Sequence, residues 1–253
     1  MDCQCLPTTI RQAQIHSERG AKIFIERGVF SSNDKKWRVN LAEKVIGGEI
    51  TVTVKVGAKL FRRKAFILAN GPTREKIFKQ LDSYEKEYES NARLAKLIFK
   101  QESNYRQFYS DGMPLVSFDK GYGLGQATTP APTYEHTWNW RLHIDYIIKT
   151  VLPEKRSFAK HYLKAHPYTD ENLDMETLVH YNGANYHYYV WSEQDKKWVV
   201  NDKVLCDPLE SNKGWDVTSK GNENKTLEDL RSGKGEKPKY TGRCYAEHIK
   251  SKM

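Results

Sequence analysis

The chain has 253 residues, 38% hydrophobic and 12% aromatic, with a formal net charge of +9 and a pI of about 9.2. That length holds one large domain, or a catalytic domain with a small companion, and that apolar content excludes a globally disordered chain. The charge favours polyanionic surfaces (nucleic acid, anionic lipid or a bacterial wall) without choosing among them, and it equally describes a solvated basic face.

Taken in chain order, residues 1–34 are weakly patterned and read as an N-terminal extension. Met1 to Pro7 show no basic segment followed by an apolar one, so no signal peptide is recognised. Synthesis in the cytoplasm and delivery by another route are expected. No apolar run approaches the ~20 residues that a membrane span needs. Residues 35–70 read as a small β-rich subdomain. Ile50, Val52, Val54 and Val56 alternate with period two, and Gly47-Gly48 and Gly57 bracket them as turn signals. Lys64 to Leu68 reads as a further strand.

Residues 71–253 read as the main, largely helical domain, giving an α+β class. Thr73 is a candidate N-cap with Glu75 in the first turn. Ile77, Leu81, Tyr84 and Tyr88 follow helical spacing, and Leu94, Ala95, Leu97 and Ile98 mark a second helix. A Gly-, Pro- and aromatic-rich stretch runs from Tyr105 to about Thr137. Helices are expected over 138–152, over 154–165 with Pro153 at the first position, and near 172–181 before Gly183. A hairpin is expected over 188–200, a polar loop over 201–240, and a short closing helix from Tyr245.

Cys206 and Cys244 can bridge in an oxidising compartment, whereas Cys3 and Cys5 are too close in sequence for an easy mutual bridge. The cysteine spacing fits no zinc module, and His161, His166, His180 and His187 read as scattered surface or core histidines. No metal and no cofactor is expected.

Three short motifs carry chemistry. Glu102 continues the helical stripe of Ala95 and Ile98, so a carboxyl extends an apolar face. Burial there would raise its pKa and keep a proton available for a leaving oxygen, which is what glycosidic cleavage requires. Gly121-Tyr122-Gly123-Leu124-Gly125-Gln126 permits tight backbone approach and can present the Gln126 amide to a sugar. His180-Tyr181-Asn182-Gly183 ends a helix, where Asn182 and Gly183 serve either as a backbone cap or as part of a cleft.

Together, Glu102-Ser103, Gly123-Leu124-Gly125-Gln126 and Tyr181-Asn182-Gly183 stand in the order and rough spacing of the soluble lytic transglycosylases and goose-type lysozymes, which this chain resembles. Gln107-Phe108, Gly112-Met113-Pro114, Pro130-Ala131-Pro132 and Trp138-Asn139-Trp140 resemble the branch found in phage lysins and injected antibacterial toxins, as does the β segment leading into Asn70-Gly71-Pro72. The resemblance covers roughly residues 47–190 and implies a lysozyme-like fold. It makes Glu102 the catalytic acid/base and assigns Gln126, Tyr181 and Asn182 to substrate, with Ser103 and Tyr122 as further binding residues. Gly125 and His180 depart from the usual Met and Ala.

The implied function is cleavage of the β-1,4 bond between N-acetylmuramic acid and N-acetylglucosamine in peptidoglycan, in the periplasm of a target cell. A secretion apparatus and an immunity protein are the implied partners. A lytic transglycosylase needs only Glu102 and leaves 1,6-anhydro ends. An inverting muramidase needs a second carboxylate about 6.5–9.5 Å away, and Asp119, which precedes the glycine loop, is the better candidate over Asp111. Asp119 also reads as a turn residue. Two other readings remain: a non-catalytic wall-binding module, and a nucleic-acid binder supported by charge alone, without a recognisable nucleic-acid-binding motif.

Overall fold

The alternation at Ile50 to Val56 forms a strand, and its neighbours complete an antiparallel sheet. In a computed structural model, the described residues are 8–16, 22–30, 47–84, 86–183, 186–207, 214–218, 220–232 and 244–252. Strands β1 (Thr8–His16), β2 (Lys22–Phe30), β3 (Gly48–Val56) and β4 (Lys59–Ile67) pair in the order β2-β1-β3-β4. The β3–β4 register runs unbroken from Gly48 opposite Ile67 to Val56 opposite Lys59. Gly57 closes this hairpin at φ 57°, a left-handed conformation that glycine adopts without steric cost.

Residues 8–16 and 22–30 are therefore strands, where the sequence reads as an extension. The β1–β2 register shifts between Ile10 and Ala13 and again between Gln14 and His16. Such irregularities put extra residues into one strand and erase the period-two pattern. Residues 31–46, which include the start of the β-rich subdomain expected over 35–70, lie outside the described residues.

The architecture is mixed α+β. Helices are α1 (Arg74–Leu81), α2 (Glu89–Ser103), α3 (Tyr134–Trp138), α4 (Trp140–Tyr146), α5 (Leu152–Leu163), α6 (Asp170–Tyr181), α7 (Leu227–Ser232) and α8 (Tyr245–Lys250). The remaining strands are β5 (Tyr189–Ser192) with β6 (Lys197–Val200), and β7 (Val204–Cys206) with β8 (Gly214–Asp216). The stretch 201–240, expected as loop, thus contributes β7, β8 and α7. These elements have three to six residues each, too short to show a period.

Between α4 and α5 lies a π turn, Ile147–Val151, so helical structure runs on from 140 to 163 where two separate helices are expected. Pro153 has no N–H to give the carbonyl four residues back, and the wider turn sits where that donor is missing.

The chain divides into two compact units: Met1–Ile77 with Ser103–Ile144, and Phe78–Glu102 with Asp145–Met253. This differs from an extension, a β subdomain and one main domain. The four-stranded sheet shares its unit with the 103–144 segment for visible reasons. The Tyr134 hydroxyl donates to Gly47 O at 2.5 Å, and Ala69 N donates to Gly112 O at 3.1 Å. A Cβ on Gly47 would sit 2.2 Å from the Trp138 ring, so only glycine lets the chain pass there.

The second unit has its own core. Leu94, Ala95, Ile98 and Phe99 of α2 are buried, as are Leu173, Met175, Leu178 and Val179 of α6. Fully burying a side chain such as Phe99 contributes about 2–3 kcal/mol. Ala159 and Leu163 of α5 pack with Leu173, flanked by Tyr162 and Trp198. Cys206 and Cys244 form a disulfide with Cα atoms 5.6 Å apart.

Candidate active site

The second unit carries Glu102, Tyr181 and Asn182. Glu102 is half-buried in the last turn of α2. Tyr181 closes α6, and Asn182 is its C-cap, donating its backbone N–H to Leu178 O at 3.2 Å. Gly183 follows at φ 104° and turns the chain away. The cap role of Asn182 and Gly183 is thus present in the backbone. Residues 102 and 181 are far apart in sequence, yet Glu102 acts directly on Tyr181. The Tyr181 phenol is held well above its usual range, first by burial and then by the charges of Glu102 and Tyr146. Tyr181 is only half-buried as a whole residue; its enclosed hydroxyl end carries the effect.

Tyr245, at the start of α8, is a third member that the sequence does not flag. It is fully buried and stacks near-parallel with Tyr181, ring centroids 6.4 Å apart at 17°. Burial raises its phenol first, followed by the charge of Glu102, by Tyr181 and by a hydrogen-bonding contact with Glu102. By strict geometry the buried Tyr245 hydroxyl has no hydrogen-bond partner in the structure, so the influence of Glu102 on it is chiefly electrostatic. Both phenols therefore stay protonated at neutral pH, and Glu102 is the carboxylate whose charge raises both. The neighbouring Cys244, bridged to Cys206, ties α8 down at the residue before Tyr245.

The first unit carries Ser103, Asp119, Tyr122 and Gln126. Ser103 is buried, and its hydroxyl donates to Leu124 O at 2.9 Å, so it anchors the glycine loop. Tyr122 pairs with Ala127 through two backbone hydrogen bonds of 3.3 and 3.2 Å. Gln126 has φ 46°, and its amide nitrogen donates back to Gly123 O at 2.8 Å. The amide nitrogen thus braces its own turn. Asp119 is exposed, accepts from the Ser117 hydroxyl, and accepts from Gly121 N at 3.4 Å. It organises the turn that opens the glycine loop. Asp111 does the same one turn earlier, accepting from Met113 N at 2.9 Å.

Two buried side chains hold this loop and escape sequence reasoning. Gln107 accepts from Leu124 N at 3.0 Å and donates to Thr137 O at 2.8 Å. A Cβ on Gly123, which has φ 65°, would lie 2.5 Å from the Gln107 amide. His143 Nε2 accepts from Gly125 N at 3.2 Å, and its Nδ1 lies 3.2 Å from His136 O. That pattern fits a neutral ring with the proton on Nδ1. Burial holds its pKa down at about 3, opposed by the His136 carbonyl. In sequence, Gln107 stands out through the Gln107-Phe108 resemblance without a stated role, and His143 only by following the glycine run.

No protein-family model matches the chain, no curated protein matches it, and no solved structure matches it. No helix among the described residues is long and apolar enough to cross a membrane.

Proposed function

We propose that the protein cleaves the glycan strands of peptidoglycan with Glu102 as the proton-transfer group, as a lytic transglycosylase. The observation that carries this reading is the grouping of Glu102 with Tyr181 and Tyr245. The resemblance links Glu102 and Tyr181 through sequence motifs alone, and their electrostatic contact is an independent reason to treat them as one site.

In the proposed reaction the protonated Glu102 gives its proton to the glycosidic oxygen as the bond to the muramyl C1 breaks. The carboxylate then takes the proton of the muramyl C6 hydroxyl, whose oxygen bonds to C1 and closes a 1,6-anhydro ring. One carboxyl performs both transfers and no water is consumed. The lysozyme-like fold, the periplasmic site of action, the secretion apparatus and the immunity protein belong to this same proposal and follow from the resemblance. Protonated phenols cannot activate water as bases at neutral pH, so within this group Glu102 is the one residue left to transfer protons, which favours the single-carboxylate reaction. The hydrolytic alternative draws on Asp119, of which Oδ1 serves its own turn.

The test is release of soluble fragments from purified sacculi. Glu102→Gln is expected to lower release by at least ~100-fold, the scale of a lost general acid. Binding of the wild type to sacculi without cleavage would instead support a wall-binding module.

A further inference from the structure

The α6 helix carries two buried carboxylates with opposite surroundings. Asp174 is paired with both Arg93 and Arg156, the latter at 2.7 Å. Glu176 is 0% exposed, yet no lysine or arginine pairs with it among the described residues. A buried carboxylate without a cation is costly, and structures seldom leave one so. Its Oε1 is pinned by the Tyr189 N–H at 2.8 Å, and its Oε2 lies 3.1 Å from His187 Nδ1. His180, one helical turn after Glu176 and on the same face, completes the group. Its Nε2 is buried and has no hydrogen-bond partner. One ligand atom from each of the three residues lies within 4.8 Å of the others.

We propose that Glu176, His180 and His187 bind a divalent transition-metal ion of the zinc class. Two imidazoles and one carboxylate suit Zn²⁺ and disfavour Mg²⁺ or Ca²⁺, which take oxygen ligands. At Zn–N and Zn–O lengths of about 2.0–2.2 Å, tetrahedral ligand atoms stand roughly 3.3 Å apart. The Glu176–His187 pair already has nearly that spacing at 3.1 Å, and the His180 ligand atom lies within 4.8 Å of both. The fourth position is left for water.

The surroundings support a built site. The Tyr162 ring stacks flat on His187 at 3.5 Å and 4°, fixing that ring's orientation. Asn201 Nδ2 donates to His187 O at 2.9 Å and fixes its backbone. Lys155, whose charge reaches His180, is itself paired with Glu154 at 3.2 Å. The metal supplies the positive charge that the two arginines supply to Asp174. It also ties the last turn of α6, which leads into Tyr181 and Asn182, to the segment entering β5. This inference stands whether or not the protein cleaves glycans.

The experiment uses the full chain with Cys3→Ser and Cys5→Ser, oxidised, so that the two remaining cysteines are bridged. After removal of metal by a chelator, Zn²⁺ is titrated by calorimetry and Co²⁺ by visible absorption. The expected result is one Zn²⁺ per chain and a Co²⁺ spectrum of four-coordinate intensity. His180→Ala, checked for folding by circular dichroism, should weaken zinc binding by at least ~100-fold, the upper scale for losing even an indirect partner of a metal site. If His180→Ala fails to fold, His180→Gln takes its place. Zinc bound equally well by these variants, or no stoichiometric zinc on the parent chain, overturns the site. The latter outcome would leave Glu176 and His187 as a simple ion pair.

Discussion

The two units hold their buried polar groups in different ways. Around the glycine loop, the buried side chains Gln107 and His143 are neutral and serve backbone groups of 123–125 and 136–137. The second unit also buries neutral Asn91 and Thr177, but it adds acidic groups: buried Asp174 and Glu176 and half-buried Glu247. They meet arginines, a histidine and a tyrosine instead. The first arrangement shapes a loop; the second concentrates charge near the end of α6, the helix that closes on Tyr181. Loss of a partner therefore has unequal consequences: a neutral orphan costs its desolvation, whereas a charged orphan costs considerably more.

The sharpest break in that comparison is Asp174→Ala. It leaves Arg156 largely buried and unpaired, and a loss of about 3–5 kcal/mol is expected from denaturant midpoints. Gln107→Ala, the matching change in the first unit, should cost only about 1–3 kcal/mol by the same measurement. Equal losses would erase the distinction between charged and neutral scaffolding.

Reduction of Cys206–Cys244 comes next. It opens a loop with a sequence separation of 38, for which chain entropy gives about 4 kcal/mol. Hydrogen exchange should rise over 145–207 and 244–252 and stay unchanged over 103–144. Protection lost evenly across both regions would contradict the division into units.

The smallest effect is on pH dependence. His143 is neutral when folded, with a pKa of about 3, and titrates near 6.5 when unfolded. The unfolded chain thus binds the extra proton between those values, so stability is lost as pH falls below 6.5. The loss is roughly 2 kcal/mol by pH 5. His143→Gln should flatten that slope. Glu247 works the other way, because burial raises its pKa and its contribution is lost as pH rises. An acid slope unaltered by His143→Gln would remove the histidine from the account.

Much of the candidate site's local structure is legible in the sequence because it is set by neighbours in the chain. Glu102 continues a visible helical stripe, Gly183 marks a helix end, and the glycine run announces a strained loop. The hairpin β5–β6 and the closing helix α8 were legible for the same reason. What sequence hides is convergence. Nothing near Tyr245 says that its phenol meets Glu102, and nothing at Glu176 distinguishes a buried carboxylate from an exposed one on the same helix. Irregular pairing concealed β1 and β2, and brevity concealed β7, β8 and α7. Asp119 reads in two ways from sequence, and its Oδ1 is engaged in the turn.

The central claim is that Glu102 moves protons in glycan cleavage, and the masses of fragments released from purified sacculi by the wild type and by Glu102→Gln test it most directly. Muropeptides lighter than hydrolysis products by one water, released by the wild type and absent with Glu102→Gln, are the predicted result. Release that is unchanged by Glu102→Gln would contradict it.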